Sequence, residues 1–203
     1  AAAMFGVWVQ DKTGERFVDE LANRKVRADA IMTLLNEGIH CYAVADAKGV
    51  EPMGISRPGL LQKMLERGCV KQYETLEALA AGEKINIEGL RKSVEEWNSA
   101  VKSGTDAHFK RYVNKKAQPM GTGPWYVSTM VPKVHHCMGG IYTDMQARAL
   151  DISTDEPIPG LFAAGEATGG VHGAVRLGSC AVTDCLVYGR IAGRTAAQNE
   201  SWM

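Results

Sequence analysis

Residues 161–199 read LFAAGEATGGVHGAVRLGSCAVTDCLVYGRIAGRTAAQN, and they join a short apolar run, a glycine-rich loop and a long segment rich in small residues. Of the 22 glycines in the chain, eight lie between positions 160 and 193, so the backbone is expected to approach a neighbour closely there. The apolar run Leu161–Ala164 predicts a short buried strand, and Ser179 is a favourable N-cap for a helix after it. A strand, a glycine loop and a helix are therefore predicted in that order.

The start of the predicted helix is suited to an anionic or electron-rich ligand. The first N–H groups of a helix have no intrahelical partner, and the helix dipole is positive at this end. A flavin is one candidate, because the reduced ring carries negative charge that a helix end stabilises. Glycine clusters also occur at ordinary tight turns, so the loop alone fits either interpretation.

The composition indicates a folded chain and excludes several classes of protein. Of the 203 residues, 45% are hydrophobic, which is enough to bury a core without disulfides. The 23 basic and 23 acidic residues cancel, so the basic surplus typical of a nucleic-acid-binding protein is missing. We expect no membrane span, since every apolar run is too short. The five cysteines form no CxxC pair, so neither a metal site nor a disulfide framework is expected.

The segments upstream predict helices together with a small sheet. Residues 6–18 are typical of a β-hairpin, and residues 24–37 are typical of a helix. Residues 86–102 form the clearest amphipathic helix, whose apolar stripe is expected to face the core. Residues 105–123 are polar and lack periodicity, which predicts an exposed linker, and residues 125–131 resemble a strand. The chain is therefore predicted to be of the α+β or α/β class.

Three motifs in this order resemble the soluble fumarate reductase flavoprotein family, which includes flavocytochrome c and urocanate reductase. They are GERFVDELANR (14–24), HHCMGGIYTD (135–144) and IPGLFAAGEATGGVHGAVRLG (158–178). The resemblance spans nearly the whole chain, and the glycine segment is its most specific part. It implies a capping domain of helices with a small sheet at residues 1–123 and the C-terminal part of an FAD-binding domain at residues 124–203.

The dinucleotide-binding motif GxGxxG of this family does not occur in the sequence. We therefore expect the chain to be a fragment that is inactive alone, with the nucleotide-binding half in a preceding segment. The electron donor, a haem or FMN domain or a partner protein, is likewise expected outside it. The compartment stays open between the cytoplasm and the periplasm of a bacterium.

The resemblance implies that FAD gives a hydride to an activated double bond and that Arg24 gives the proton. A surface arginine in the first turn of a helix is the alternative for Arg24. His135 and Arg176 match the residues that bind a substrate carboxylate, and a guanidinium fork suits that planar group. His136 is the alternative contact, because neighbours on a strand point to opposite faces and only one should reach the site.

The resemblance also implies which residues bind FAD. Glu166 matches an acidic residue that accepts from ribityl hydroxyls, and it follows Gly165 in the glycine loop. The helix start at Ser179, Ala181 and Val182 would offer backbone groups to the ring, and Arg176 is expected to contact cofactor as well as substrate. His172 is assigned only packing or a loop hydrogen bond.

Two departures from the family pattern bear on the substrate. Cys180 and Val175 both stand where relatives often have asparagine, which leaves the identity of the acid open. The leading interpretation is a reductase of a small dicarboxylate or enoate. The alternatives are a succinate-type or ketosteroid-type flavin dehydrogenase, and an inactive fragment that acts only as a binding module.

Overall fold

A computed structural model describes residues 2–199 and divides into two compact units, of which the first ends at Pro132 and the second begins at Lys133. Helices and small sheets occur together, so the predicted mixed class is confirmed. The units divide later in the chain than the predicted domain boundary at residues 123/124. The reason is that the strand following residue 124 pairs within the sheet of the first unit.

The first unit combines a four-stranded antiparallel sheet with six helices among its described residues. Its strands are β1 (Val7–Gln10), β2 (Cys41–Asp46), β3 (Lys71–Tyr73) and β4 (Trp125–Met130). Its helices are α1 (Ala2–Phe5), α2 (Arg24–Asn36), α3 (Ala47–Ser56), α4 (Leu60–Glu66), α5 (Leu76–Glu83) and α6 (Ile87–Ser103). The strand order is β1-β2-β4-β3, and every pair is antiparallel.

The core of the first unit lies where helix α6 meets the sheet. Asn86 caps α6 by accepting from the backbone N–H groups of Glu88 and Gly89. Leu90 and Trp97 on the apolar stripe of α6 are fully buried, in one cluster with apolar residues of β1, β2 and β4. The prediction that this stripe faces the core is confirmed.

One prediction for the first unit is wrong, and another holds for most of its residues. The strand β1 pairs with β2 rather than forming a hairpin over residues 6–18, and Val9 makes only an isolated bridge to Arg16. The chain leaves the sheet there because the side chain of Arg16 enters buried ion pairs. The predicted linker is irregular and mostly exposed, as expected, but three of its residues are buried: Asp106 and Arg111 are each 2% exposed, and Met120 belongs to the core.

The second unit contains a two-stranded hairpin and one long helix within its described residues. The strands are β5 (Arg148–Leu150) and β6 (Pro157–Phe162), and the helix is α7 (Cys180–Gln198), preceded by a 3₁₀ turn at Gly165–Ala167. Strand β6 begins earlier than the predicted strand because its residues pair with β5. Leu161 is also 44% exposed, so the prediction of a buried strand is wrong.

A helix that crosses a membrane must be both long and apolar. Among residues 2–199, none is both long enough and apolar enough to do so.

Candidate active site

The predicted site residues are divided between the two units. Arg24 lies in the first unit, and all the other predicted residues lie in the second.

Arg24 is the first residue of helix α2 and is exposed. Asn23 caps the helix by accepting from the backbone N–H of Val26 at 3.0 Å. One turn further along, burial and then the positive charge of Arg24 lower the pKa of Arg27. Three cationic side chains, those of Arg24, Lys25 and Arg27, thus occupy the first turn of α2, which is a favourable place for a substrate carboxylate.

His135 and Arg176 lie side by side in the second unit. Nη2 of Arg176 is 3.0 Å from Nε2 of His135, and Nη1 donates to the carbonyl of Leu177 at 3.0 Å. Arg176 is 8% exposed, and its buried Nε has no partner among the described residues. The structure therefore brings together the two residues predicted to bind a carboxylate, while their function stays a prediction.

The two adjacent histidines have different surroundings. His135 is exposed, whereas His136 is buried with Nδ1 at 3.5 Å from a carboxylate oxygen of Glu166. The other oxygen of Glu166 accepts from the backbone N–H of Cys137 at 2.8 Å. His136 is thus directed at the residue predicted to bind the cofactor, and His135 at the residue predicted to bind the substrate.

Glycine at position 165 is required by the backbone of the loop. Gly165 has φ +70°, and a Cβ atom there would lie 2.8 Å from Sγ of Cys185 on α7. Its carbonyl accepts from both the backbone N–H and the hydroxyl of Thr168. The loop therefore turns tightly against the helix, as the glycine cluster predicts.

Helix α7 begins as predicted, but its cap differs. Ser179 is the N-cap residue with φ +70°, and within the described residues its hydroxyl makes no capping hydrogen bond. The predicted side-chain cap is therefore wrong, because this left-handed backbone departs from the extended conformation that N-caps usually adopt. Ala181 is partly buried and Val182 is 67% exposed. The backbone N–H of Cys180 donates to the carbonyl of Leu177 at 3.3 Å, and the next N–H groups of the first turn are those that a ligand could bind.

A histidine–aspartate pair was not predicted. Nε2 of His172 is 3.1 Å from Oδ2 of Asp184, and both side chains are largely buried. The ring of His172 also meets the ring of His136 edge to face, with 5.3 Å between centroids. A single carboxylate in an otherwise apolar helical turn was the only sequence signal for Asp184. In the part of the chain that the structure describes, no group of three or more histidine, cysteine, aspartate or glutamate side chains is placed to hold a metal ion.

The residues of this loop fit a cofactor that carries hydroxyls and a polar ring. Nε of Arg176 and Nε2 of His136 are buried without a partner in the described chain, which is typical of a site that a ligand completes. The side chain of Glu166 is 53% exposed, so its lone pairs can accept from hydroxyls.

The comparisons with known proteins agree with this fit. A family model described as "FAD binding domain" matches residues 1–182. The urocanate reductase of Eggerthella lenta is 37% identical over 189 residues, which cover 92% of this chain and 30% of that protein.

Two solved structures are also similar. The open conformation of a flavocytochrome c3 fumarate reductase is 34% identical with a TM-score of 0.69, over 97% of this chain and 33% of that one. A 3-ketosteroid-Δ4-(5α)-dehydrogenase from Rhodococcus jostii is 26% identical with a TM-score of 0.64, over 97% of this chain and 39% of that one. This chain thus spans less than half the length of each of these three proteins.

The predicted resemblance to fumarate and urocanate reductase flavoproteins is confirmed by these similarities, as is FAD as the cofactor of the family. The chain belongs to the FAD binding domain family.

Proposed function

We propose that the protein to which this chain belongs reduces the carbon–carbon double bond of a small α,β-unsaturated carboxylate. The observation that carries the proposal is the pair formed by His135 and Arg176, in which a buried guanidinium lies 3.0 Å from an imidazole nitrogen. The urocanate and fumarate reductases among the similar proteins support an acidic substrate.

Bound and reduced, FAD supplies a hydride. Glu166, Arg176 and the backbone of Ser179–Val182 would hold it, as the family resemblance implies. The N–H groups at the start of α7 would favour the negative charge of the reduced ring.

The pair formed by His135 and Arg176 would bind a substrate carboxylate. Because an arginine can only donate, Nε2 of His135 accepts in this contact and the imidazole carries its proton on Nδ1. A carboxylate that binds at the pair would accept from Arg176 and from the Nδ1–H of His135. Two directed donors would fix the orientation of the double bond as well as its position.

Arg24 would donate the proton to the second carbon of the double bond. An arginine is an unusual acid, because its ordinary pKa is above about 12. It also remains charged, so it can attract the substrate and polarise the double bond before the proton moves.

A flavin dehydrogenase that acts on a ketosteroid is the second candidate, and the similarity to the Rhodococcus jostii enzyme favours it. A steroid ketone carries no carboxylate for a histidine and an arginine to bind, so the pair of His135 and Arg176 favours the first candidate. An inactive binding module is the third candidate.

One experiment on the whole protein, as purified, distinguishes the three candidate functions. We expect flavin absorption bands and, under anaerobic conditions, reoxidation of the dithionite-reduced protein by fumarate, urocanate or acrylate. No reoxidation by any of these acids would overturn the proposal. Activity with 4-androstene-3,17-dione alone would support the ketosteroid candidate, and a protein without flavin bands would support the binding module.

A further inference from the structure

Four charged side chains are buried together in the first unit. Arg16 is 7% exposed, Glu20 is 0%, Asp106 is 2% and Arg111 is 2%. No local pattern in the sequence predicts this cluster, because its members are up to 95 residues apart along the chain, from position 16 to position 111. Two positive and two negative charges balance within it.

Glu20 is the centre of the cluster. Arg16 donates to both of its carboxylate oxygens at 2.8 Å, from Nε to Oε1 and from Nη2 to Oε2. Nη1 of Arg111 lies 3.0 Å from Oε2, and the backbone N–H of Trp8 donates to Oε1 at 3.1 Å. A carboxylate with four donors and no exposure is held in one orientation.

The two arginines are in turn fixed to the core of the unit. Nη2 of Arg16 also donates to Asp106 at 2.7 Å, and its backbone N–H donates to Ser93 on α6 at 3.1 Å. The guanidinium of Arg111 lies 3.8 Å from the ring centroid of Trp97 and donates to the carbonyl of Gly6 at 2.8 Å. Glu20 is therefore tied to α6 and to the start of β1.

Burying four charges is an expensive way to stabilise a fold. Buried ion pairs often contribute no more than apolar residues of the same volume, because desolvation offsets their attraction. Burial opposes the charge of Arg16, but hydrogen bonds to Glu20 and Asp106 still raise the pKa of Arg16 above its ordinary value. Arg16 therefore stays charged, and the hydrogen bonds of the cluster define one geometry, which suits a positioning function better than a stabilising one.

Glu20 lies in the turn that leads into helix α2. The backbone N–H of Ala22 donates to the carbonyl of Asp19 at 3.0 Å. The carbonyl of Glu20 accepts from Nη1 of Arg27 on the first turns of the helix at 3.2 Å. The side chain of Glu20 is thus fixed to the core and its backbone to the helix that begins with Arg24.

We propose that Glu20 is a positioning residue for Arg24. Its buried carboxylate anchors the turn of residues 19–23 to α6 and β1, and so fixes the place from which the guanidinium of Arg24 acts. The proposal rests on the proposed function, in which Arg24 is the proton donor. Glu20 itself contacts neither substrate nor cofactor in this proposal.

The test substitutes Glu20→Gln in the whole, flavin-loaded protein and follows the reduction of fumarate. Misplacing a reacting group by about 1 Å can cost about 100-fold, so we expect kcat to fall by about 10- to 100-fold with little change in KM. Glu20→Asp keeps the charge but shortens its reach, and it serves if the glutamine variant does not fold. It is expected to lower kcat by about threefold to tenfold.

The matched control is Glu83→Gln, which removes another buried carboxylate of the same unit. Glu83 is the last residue of helix α5 and lies away from the cluster. It accepts from the hydroxyl of Tyr73 at 2.5 Å and from Lys71 at 2.8 Å, both on strand β3. We expect this variant to lose stability while keeping its kcat. Equal losses of kcat in the Glu83 and Glu20 variants would overturn the proposal in favour of a structural role.

A second measurement does not depend on turnover. Hydrogen exchange of residues 17–27, read by mass spectrometry without substrate, should be faster in Glu20→Gln and unchanged in Glu83→Gln. Unchanged exchange there, or a kcat within twofold of wild type, would overturn the positioning role.

A double-mutant cycle separates this proposal from the one on which it rests. If Glu20 acts through Arg24, then Glu20→Gln should have almost no further effect on kcat in an Arg24→Lys background. A slow Arg24→Lys enzyme that loses another 10-fold or more would overturn only the role of Glu20. An Arg24→Ala enzyme at full rate would instead overturn the proton-donor assignment, and the role of Glu20 in it.

Discussion

The two units of the chain are stabilised in different ways. The first unit buries tryptophans, leucines, valines and two isoleucines in two apolar clusters around its sheet. Among the described residues of the second unit, the buried hydrophobic residues are three alanines, and Leu177, Val182 and Leu186 are each at least 67% exposed. The second unit is therefore held mainly by backbone hydrogen bonds, close glycine contacts and polar side chains.

This difference separates stability from chemistry. Most of the predicted substrate- and cofactor-binding residues belong to the unit with the smaller apolar core, where a loop and a helix end leave polar groups available. The first unit contributes one predicted catalytic residue on its surface and a core that fixes the turn before it. We therefore expect substitutions in the core of the first unit to lower the free energy of unfolding, and substitutions at the predicted binding residues of the second unit to lower activity.

Arg24→Ala should have the largest effect on the rate and almost none on stability, although Arg24 belongs to the unit with the larger core. Arg24 is exposed at the start of α2, so little packing is lost. Losing a proton donor typically costs about 100- to 10,000-fold, and we expect a fall of about 1,000-fold in the reoxidation of reduced flavin by fumarate.

The matched control is Lys25→Ala, which removes the next positive charge from the same helix turn. Lys25 pairs with Asp29 on the surface. This variant should keep the wild-type rate within about twofold, because surface ion pairs contribute little. Rapid reoxidation of the Arg24 variant by fumarate would contradict the assignment.

Trp97→Ala tests the comparison directly through the free energy of unfolding. Trp97 is fully buried on α6, and removing such a ring costs about 3–5 kcal/mol. Leu186→Ala on α7 of the second unit should cost less than about 0.5 kcal/mol, because Leu186 is 69% exposed. Urea denaturation of the chain checks both, and a loss above about 2 kcal/mol for Leu186→Ala would show that α7 is covered by another surface.

Arg176→Ala should impair substrate binding and turnover together. The guanidinium pairs with His135, and we expect kcat/KM for fumarate to fall by about 100-fold with a rise in KM. Arg190→Ala removes an exposed arginine from α7 of the same unit and should leave both constants unchanged. Unchanged kinetics of the Arg176 variant would exclude it as a carboxylate ligand.

Local patterns in the sequence predicted the elements whose cause is local. The stripe of helix α6 and the glycine loop before α7 follow from periodicity and from backbone freedom, and both occur in the structure. Helix α3 was not predicted, because Pro52 and two glycines interrupt its pattern. Its start is fixed by Asp46, which accepts from the backbone N–H of Gly49.

Contacts between residues that are far apart in the sequence leave no local pattern, so the sequence does not predict them. The Lys110-Arg111 run has the composition of an exposed loop, yet Arg111 is buried because Glu20 and Trp97 surround its guanidinium. The pair of His172 and Asp184 likewise has no periodic signal. For the candidate site, the motifs predicted the residues, but only the coordinates show that His135 meets Arg176 and that His136 faces Glu166.

The smallest expected effect concerns a polar contact that holds the second unit. Burial would raise the pKa of Asp144, but the backbone N–H and the guanidinium of Arg148 outweigh it and lower that pKa below its ordinary value. A carboxylate with a lowered pKa stabilises the folded state above its unfolded pKa of about 3.9, and this contribution disappears as the pH falls through the folded pKa.

Asp144→Asn should therefore reduce the free energy of unfolding by about 0.5–1 kcal/mol at pH 7, because Arg148 is 44% exposed and solvent weakens the pair. The difference from wild type should shrink below about pH 4, as the pH falls from the unfolded pKa of Asp144 toward its lowered folded pKa. Denaturation at pH 7 and at pH 3 measures it, with Asp155→Asn in the neighbouring turn as the control, since Asp155 is exposed and its side chain makes no hydrogen bond or ion pair among the described residues. A difference that is unchanged at pH 3 would mean that the shape of the Asp144 side chain, and not its charge, carries the contribution. Charged contacts would then stabilise the second unit less than its small apolar core leads us to expect.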